Sequence, residues 1–197
     1  MKKVSVLLVI IVVLGFTVSN VYAEGYFSGN VGIGWPDDIE VTDAIELSFD
    51  PGYGISAAFG HVYNNNFRAE LEFNYFASDV DEVTLVGVGS APVDGDGTVM
   101  AVMLNGFYDS MPSQTLSPFV GAGIGYANAE LDILGESEDD NVFAYQLMAG
   151  FTFKLTEKLK SDVQYRYFGT EDLEFEAGID GDSVNSHNLM VGLRYSF

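Results

Sequence analysis

Two short runs carry charges at every second position. Arg68, Glu70 and Glu72 are spaced this way, as are Asp162, Gln164 and Arg166, and Arg194 sits near the C-terminus in a segment of the same rhythm. A spacing of two puts side chains on one face of an extended chain, so each run aims its polar groups in one direction. Opposite charges aimed into a confined space pair with one another, because an unpaired buried charge is costly. The same constellation can also line a narrow, gated path for ions. A second group of candidates is acidic: Asp94-Gly-Asp-Gly97 and Asp180-Gly-Asp-Ser183 hold Asp94, Asp96, Asp180 and Asp182 in weak imitations of calcium loops. Neither has the full ligand spacing with a closing Glu. The third candidate is Ser186-His187. Neighbours on a strand point to opposite faces, so these two do not make a nucleophile and its base.

The elements that must position these residues follow from the same alternation. In the last segment Leu189, Val191, Leu193, Tyr195 and Phe197 share one parity, while Asn188, Met190, Gly192, Arg194 and Ser196 share the other. That is a strand with one apolar and one wetter face, and its length suits a membrane crossing, which takes roughly 9–11 residues. Seven more runs alternate in this way: 26–35, 52–63, 67–75, 98–108, 118–127, 142–155 and 159–168. Long polar stretches at 36–50, 77–97, 128–141 and 169–186 alternate with short connections at 64–66, 109–117 and 156–158. An even strand number, with long loops on one side and short turns on the other, predicts an all-β, eight-stranded antiparallel up-and-down transmembrane β-barrel. Tyr and Phe gather near the strand ends, where interface girdles require them.

The rest of the sequence fits an exported chain. Met1-Lys-Lys is followed by an apolar run and then by Val21-Tyr-Ala23, the pattern of a secretory signal peptide cleaved after residue 23. Residues 24–197 then form the barrel domain. There is no cysteine, so a disulfide framework is excluded. The formal charge is −21, which argues against nucleic acid as a partner, since phosphate contacts need Lys and Arg. Of the 29 acidic residues 23 lie in the four long polar stretches, which contain no Lys or Arg. The rim they form is expected to be strongly negative. It keeps the surface solvated, binds divalent cations that bridge to lipopolysaccharide phosphates, or captures a cationic partner.

Gly54–Phe76, with Ala58-Phe-Gly60 before an Asn turn and Phe67-Arg-Ala-Glu-Leu-Glu72 after it, resembles a hairpin of the outer-membrane protein β-barrel domain family. Pro118-Phe-Val-Gly-Ala-Gly-Ile-Gly125, Tyr165-Arg-Tyr-Phe168 and a last strand ending in Phe197 resemble its other strands. This family of Gram-negative bacteria includes small surface antigens and is related to the transmembrane half of OmpA. The resemblance implies an outer-membrane location and insertion by the barrel-assembly machinery, with Leu189, Val191, Leu193, Tyr195 and Phe197 as the signal. Lumenal Arg–carboxylate pairs occur in OmpA-like barrels, so Glu72 and Arg166, at similar depth, are the expected partners. Small barrels that deacylate lipid A place His and Ser two residues apart on one face, but position 189 is Leu, and omptin-like proteases need a larger barrel. His61 reads as a ring at the membrane interface. The reading is therefore a monomeric, non-enzymatic barrel without cofactor, its lumen filled by its own side chains and its acidic loops displayed outward among outer-membrane lipid and lipopolysaccharide. The alternatives are a narrow porin-like channel and an adhesin or surface antigen that binds cations or a host partner.

Overall fold

The computed structural model describes residues 24–42, 45–64, 66–85, 89–92, 95–133, 136–174, 180–181 and 183–197. The expected signal peptide lies outside them. Eight strands form the barrel: β1 (Glu24–Pro36), β2 (Gly52–Asn64), β3 (Phe67–Leu85), β4 (Gly95–Asp109), β5 (Leu116–Ile133), β6 (Glu136–Lys154), β7 (Leu159–Thr170) and β8 (Asn185–Ser196). Each pairs antiparallel with its sequence neighbours. β1 closes the ring against β8, in register from Tyr26↔Ser196 to Pro36↔Ser186. Closure removes both sheet edges, so every backbone group in the membrane finds a partner in the ladder.

Side-chain parity decides which face is which. Val31 is 61 % exposed and Leu147 57 %, and Ile55, Ile124 and Leu193 are exposed with them. An apolar belt of this extent has no place in water, and lipid is the solvent that suits it. The opposite parity points into the lumen, which is packed where the residues are small: Ala101, Met103, Ala127, Ala129, Val142, Ala144 and Phe168 form one buried cluster. Glycine makes room for aromatic rings there. A Cβ at Gly60 would run into the Tyr26 ring, and one at Gly34 would lie 2.5 Å from Phe76.

Two of the expected loops are instead strand. The stretch 128–141 continues the β5–β6 ladder, from Asn128↔Asn141 to Ile133↔Glu136. The stretch 77–97 is divided between β3, which runs on to Leu85, and β4, which begins at Gly95. The apolar alternation fades in these segments because charged residues take the outward positions, although Ser78, Val80 and Ala129 stay buried on the inward side, and backbone pairing needs no apolar face to continue. Short strands at Ile39–Thr42, Ile45–Phe49 and Gly89–Pro92 extend this outer sheet alongside β3. On the other side the connections are brief, at 65–66, 110–115 and 155–158.

Candidate functional site

The inward charges form a ladder that climbs the lumen from the short-turn end. At the lowest level the Arg68 guanidinium donates to Glu70 Oε1 at 2.8 Å and to Asp109 Oδ2 at 3.0 Å. It also lies 3.9 Å from the centroid of the Phe107 ring and 5.0 Å from that of Phe119. Arginine suits this place because its planar group stacks on a ring while its edge donates to carboxylates. Tyr26 from β1 reaches across to Glu70 with an O–H···O distance of 2.6 Å. Beside it Arg194 donates at 3.0 Å to both Asp162 and Thr152, and the Thr152 hydroxyl donates to the same Asp162 oxygen at 2.6 Å.

The middle level spans the barrel. Glu72 is on β3 and Arg166 on β7, four strands apart in either direction round the ring. Arg166 Nη2 donates to Glu72 Oε1 at 2.6 Å, a bond along a diameter of the lumen. The other carboxylate oxygen accepts from Asn105 at 2.6 Å and from Gln146 at 3.1 Å, and Gln146 also donates to Asn105 Oδ1 at 2.7 Å. Glu72 is 1 % exposed, Asn105 1 % and Gln146 0 %, so this bar is closed to water. Arg166 Nη1 donates to Asn74 Oδ1 at 2.7 Å, one step further out.

Six of the seven lumenal residues expected from the sequence thus form three ion-paired groups. Gln164 shares their inward, buried face but takes no part in the ion pairs. Two important members were absent from the expected set. Asp109 falls at the start of a predicted turn, yet the β4–β5 ladder carries it to Asp109↔Phe119. Tyr26 has the parity of Ser28 and Asn30, but an aromatic at a strand end reads first as girdle.

Above the bar the lumen changes character. Phe76, Phe168, Val99, Ala101, Ala129 and Met190 line a partly open cavity of about 80 Å³, whose wall also includes Asn74, Ser78, Arg166, Ser186 and Asn188. Further out, like charges stand directly opposite one another. Asp79 faces Asp96 and Asp96 faces Asp132 across three neighbouring strands, and Glu130 faces Asp139. Among the described residues no group of three or more His, Asp or Glu side chains is arranged to hold a metal ion. Of the four weak metal candidates Asp96 belongs to this row, Asp180 lies in the short strand pairing Leu173–Glu174 with Asp180–Gly181, and Asp94 and Asp182 lie outside the described residues.

The expected assembly residues Leu189, Val191, Leu193, Tyr195 and Phe197 all face outward. Phe197 donates its backbone N–H to Gly25 O at 3.0 Å, and its ring sits 5.4 Å from that of Phe27. Ser186 and His187 point to opposite sides: Ser186 is buried in the lumen, while His187 Nδ1 meets the Tyr165 hydroxyl at 2.5 Å on the outer surface. Asp37 is 3.7 Å from the other ring nitrogen. Surface His61 packs edge-on against Tyr63 near the short-turn end.

Comparison with known proteins agrees with this architecture. The family described as "Outer membrane protein beta-barrel domain" matches residues 8–197. An uncharacterised protein of Brucella abortus is 28% identical over 210 residues, covering 82% of this chain and 73% of its own. A Rickettsia conorii protein provisionally named an adhesin is 28% identical over 173 residues, covering 76% of this chain and 69% of its own. Among solved structures the outer membrane protein OprG of Pseudomonas aeruginosa superposes with a TM-score of 0.68 at 18% identity, over 89% of this chain and 96% of OprG. At that identity the likeness concerns the fold alone.

Proposed function

The chain belongs to the outer membrane protein β-barrel domain family, and from that premise we propose a non-enzymatic barrel whose lumen is shut by its own side chains and whose work is done at the cell surface. One observation carries the reading: the Arg166–Glu72 bond crosses the full lumen, with Asn105 and Gln146 filling the space beside it. An eight-stranded barrel is just wide enough for side chains to fill, and this one uses charges that satisfy each other. Paired in this way they brace opposite walls and leave no continuous column of water for an ion.

The surface role follows from the outer hairpins. β3–β4 and β5–β6 extend beyond the apolar belt as paired strands, so their acidic side chains are held on ladders. The rows at Asp79–Asp96–Asp132 and Glu130–Asp139 present a negative face suited to divalent cations shared with lipopolysaccharide phosphates, or to a cationic partner. The Rickettsia relative, provisionally named an adhesin, supports contact with another surface as the purpose of such hairpins. We assign residues 1–23 to a cleaved signal peptide and the C-terminal strand to recognition by the assembly machinery.

Planar-bilayer recording of the reconstituted protein tests the closed lumen. The wild type is expected to show no sustained conductance; steady open states that Glu72→Ala leaves unchanged would sink the proposal. Titration calorimetry with Ca²⁺ tests the rim separately, where absence of heat at millimolar concentration rules out the cation reading. Overexpression should leave the lipid A mass spectrum unaltered, and a lost acyl chain would revive an enzymatic role.

A further inference from the structure

The charges of the barrel are sorted by end. After Lys2 and Lys3 the sequence holds three lysines, and all of them fall within seven residues, at Lys154, Lys158 and Lys160. The three arginines, Arg68, Arg166 and Arg194, are buried in the lumen. The acidic rows crowd the outer hairpins, while every lysine of the barrel stands at the short β6–β7 turn.

Two ladders set these cations against one another. Lys160 is directly opposite Lys154 on β6 and directly opposite Arg194 on β8, so three cations form a row across neighbouring strands at the mouth of the lumen. Like charges opposite one another are unfavourable. The outer members are compensated within the chain, Arg194 by Asp162 at 3.0 Å and Lys154 by Glu157 at 3.0 Å. Glu157 is largely exposed, and such a surface pair contributes little. Lys158 and Lys160 make no ion pair among the described residues. Of the carboxylates that act on Lys160, Asp109 and Asp162 are already held by Arg68 and Arg194, which leaves Glu24.

The surroundings of the row are those of a membrane interface. The paired rings of Phe27 and Tyr195 face outward one residue along from Arg194, and Phe153 faces outward beside Lys154. Leu116, paired with Phe153, and Leu155 are exposed with it. The Lys154 backbone N–H donates to Thr115 O at 2.9 Å, which joins the β4–β5 and β6–β7 turns into one surface. We propose that this surface is a binding site for the phosphate of an anionic glycerophospholipid, with Lys158 and Lys160 as its principal cations, Lys154 as the third, and Phe153, Leu116 and Leu155 against the acyl chains. Short turns of such barrels face the periplasm, so the lipid belongs to the inner leaflet of the outer membrane. Basic clusters beside a bilayer attract anionic headgroups, and lysine stems lie along apolar surface while the ammonium reaches the headgroup. An anion here also relieves the repulsion within the row. The site lies at the opposite end from the acidic rim, so it stands or falls independently of what the rim binds and of whether the lumen conducts.

The test is native mass spectrometry of the full barrel released from nanodiscs that contain equal amounts of phosphatidylglycerol and phosphatidylcholine with identical acyl chains. The first lipid retained should be phosphatidylglycerol in about fivefold excess, the order expected for one lysine near an anionic headgroup. Lys154→Gln, Lys158→Gln and Lys160→Gln together should bring the ratio to unity, whereas Lys154→Arg, Lys158→Arg and Lys160→Arg together should keep it. Lys160→Gln alone should lower it more than Lys154→Gln, since Lys154 already shares its charge with Glu157. Asn128→Asp with Asn141→Asp makes the chain more negative at the opposite end and should leave the ratio in place. Each variant is first checked for heat-modifiable migration as a folded barrel. Equal retention of the two lipids, an excess that survives the three glutamines, or an equal fall in the Asn128–Asn141 variant would each overturn the proposal. Displacement of the lipid by millimolar inorganic phosphate would overturn it as well, by assigning the site to a free anion.

Discussion

The two halves of the lumen are built from the same strands and solve the problem of an interior in opposite ways. On β3 the inward residues run Arg68, Glu70, Glu72 and Asn74, then turn to Phe76. On β7 they run Asp162, Gln164 and Arg166, then turn to Phe168. The lower half is filled by charges that reach across the barrel, and its order depends on each buried charge having an ion-pair partner. The upper half is mostly apolar and, among the described residues, holds a cavity. A long charged side chain can bridge a wide lumen where a ring cannot, so the choice of residue type decides whether a given level is a strut or a space. The difference teaches that a barrel of this size is not filled automatically; it is filled where polar side chains span it.

Equilibrium unfolding in lipid vesicles can break the comparison most directly at Glu72. Glu72→Ala leaves Arg166 buried without its carboxylate and should cost about 3–5 kcal/mol, whereas Glu72→Leu with Arg166→Met should cost clearly less than that single substitution. An equal loss for both would show that the bar contributes through volume alone. Phe76→Ala removes more atoms, and from the upper half, but beside an existing cavity. Its expected cost is about 1–2 kcal/mol, below the roughly 3–5 typical of Phe→Ala in a closed core. A full-sized loss would mean that the cavity is packed in solution. Arg68→Lys keeps the charge but gives up the forked contacts to Glu70 and Asp109 and the stacking on Phe107. A loss of about 1 kcal/mol is expected, the order of a cation–π contact. The smallest effect belongs to the rim. Asp96 stands between Asp79 and Asp132, and like charges directly opposite are unfavourable, so Asp96→Asn should raise the melting temperature slightly, by a few tenths of a kcal/mol in stability. A fall would indicate that the row is held together by a bound cation.

Strand order and face were legible because a period of two survives wherever one side meets lipid and the other does not. The outward parity of Leu189 to Phe197 and the inward parity of Arg68, Glu70 and Glu72 follow from that rule alone. It fails at both ends of the strands. Beyond Ala127 the outward positions turn from apolar to charged, so Glu130 and Asp139 break the apolar alternation although they are paired neighbours and Ala129 beside them still faces inward. At the short-turn end Asp109 resembles a turn residue because its partner Phe119 lies across a gap that the chain itself does not mark.

What the sequence determined by itself is the set of residues that face inward, since adjacent side chains on a strand must point opposite ways. Depth, counted from the turns, also suggested that Glu72 and Arg166 lie level. Tertiary structure decided what closure alone can decide: which inward groups meet across a ring. Residues 94 positions apart come to 2.6 Å because β3 and β7 are diametrically opposed, and Tyr26 finds Glu70 because β1 lies two strands from β3. The upper cavity was likewise out of reach of the sequence. Its existence depends on how far rings such as Phe76 and Phe168 extend into a space whose width is set by strand number and stagger, and no single strand encodes that width.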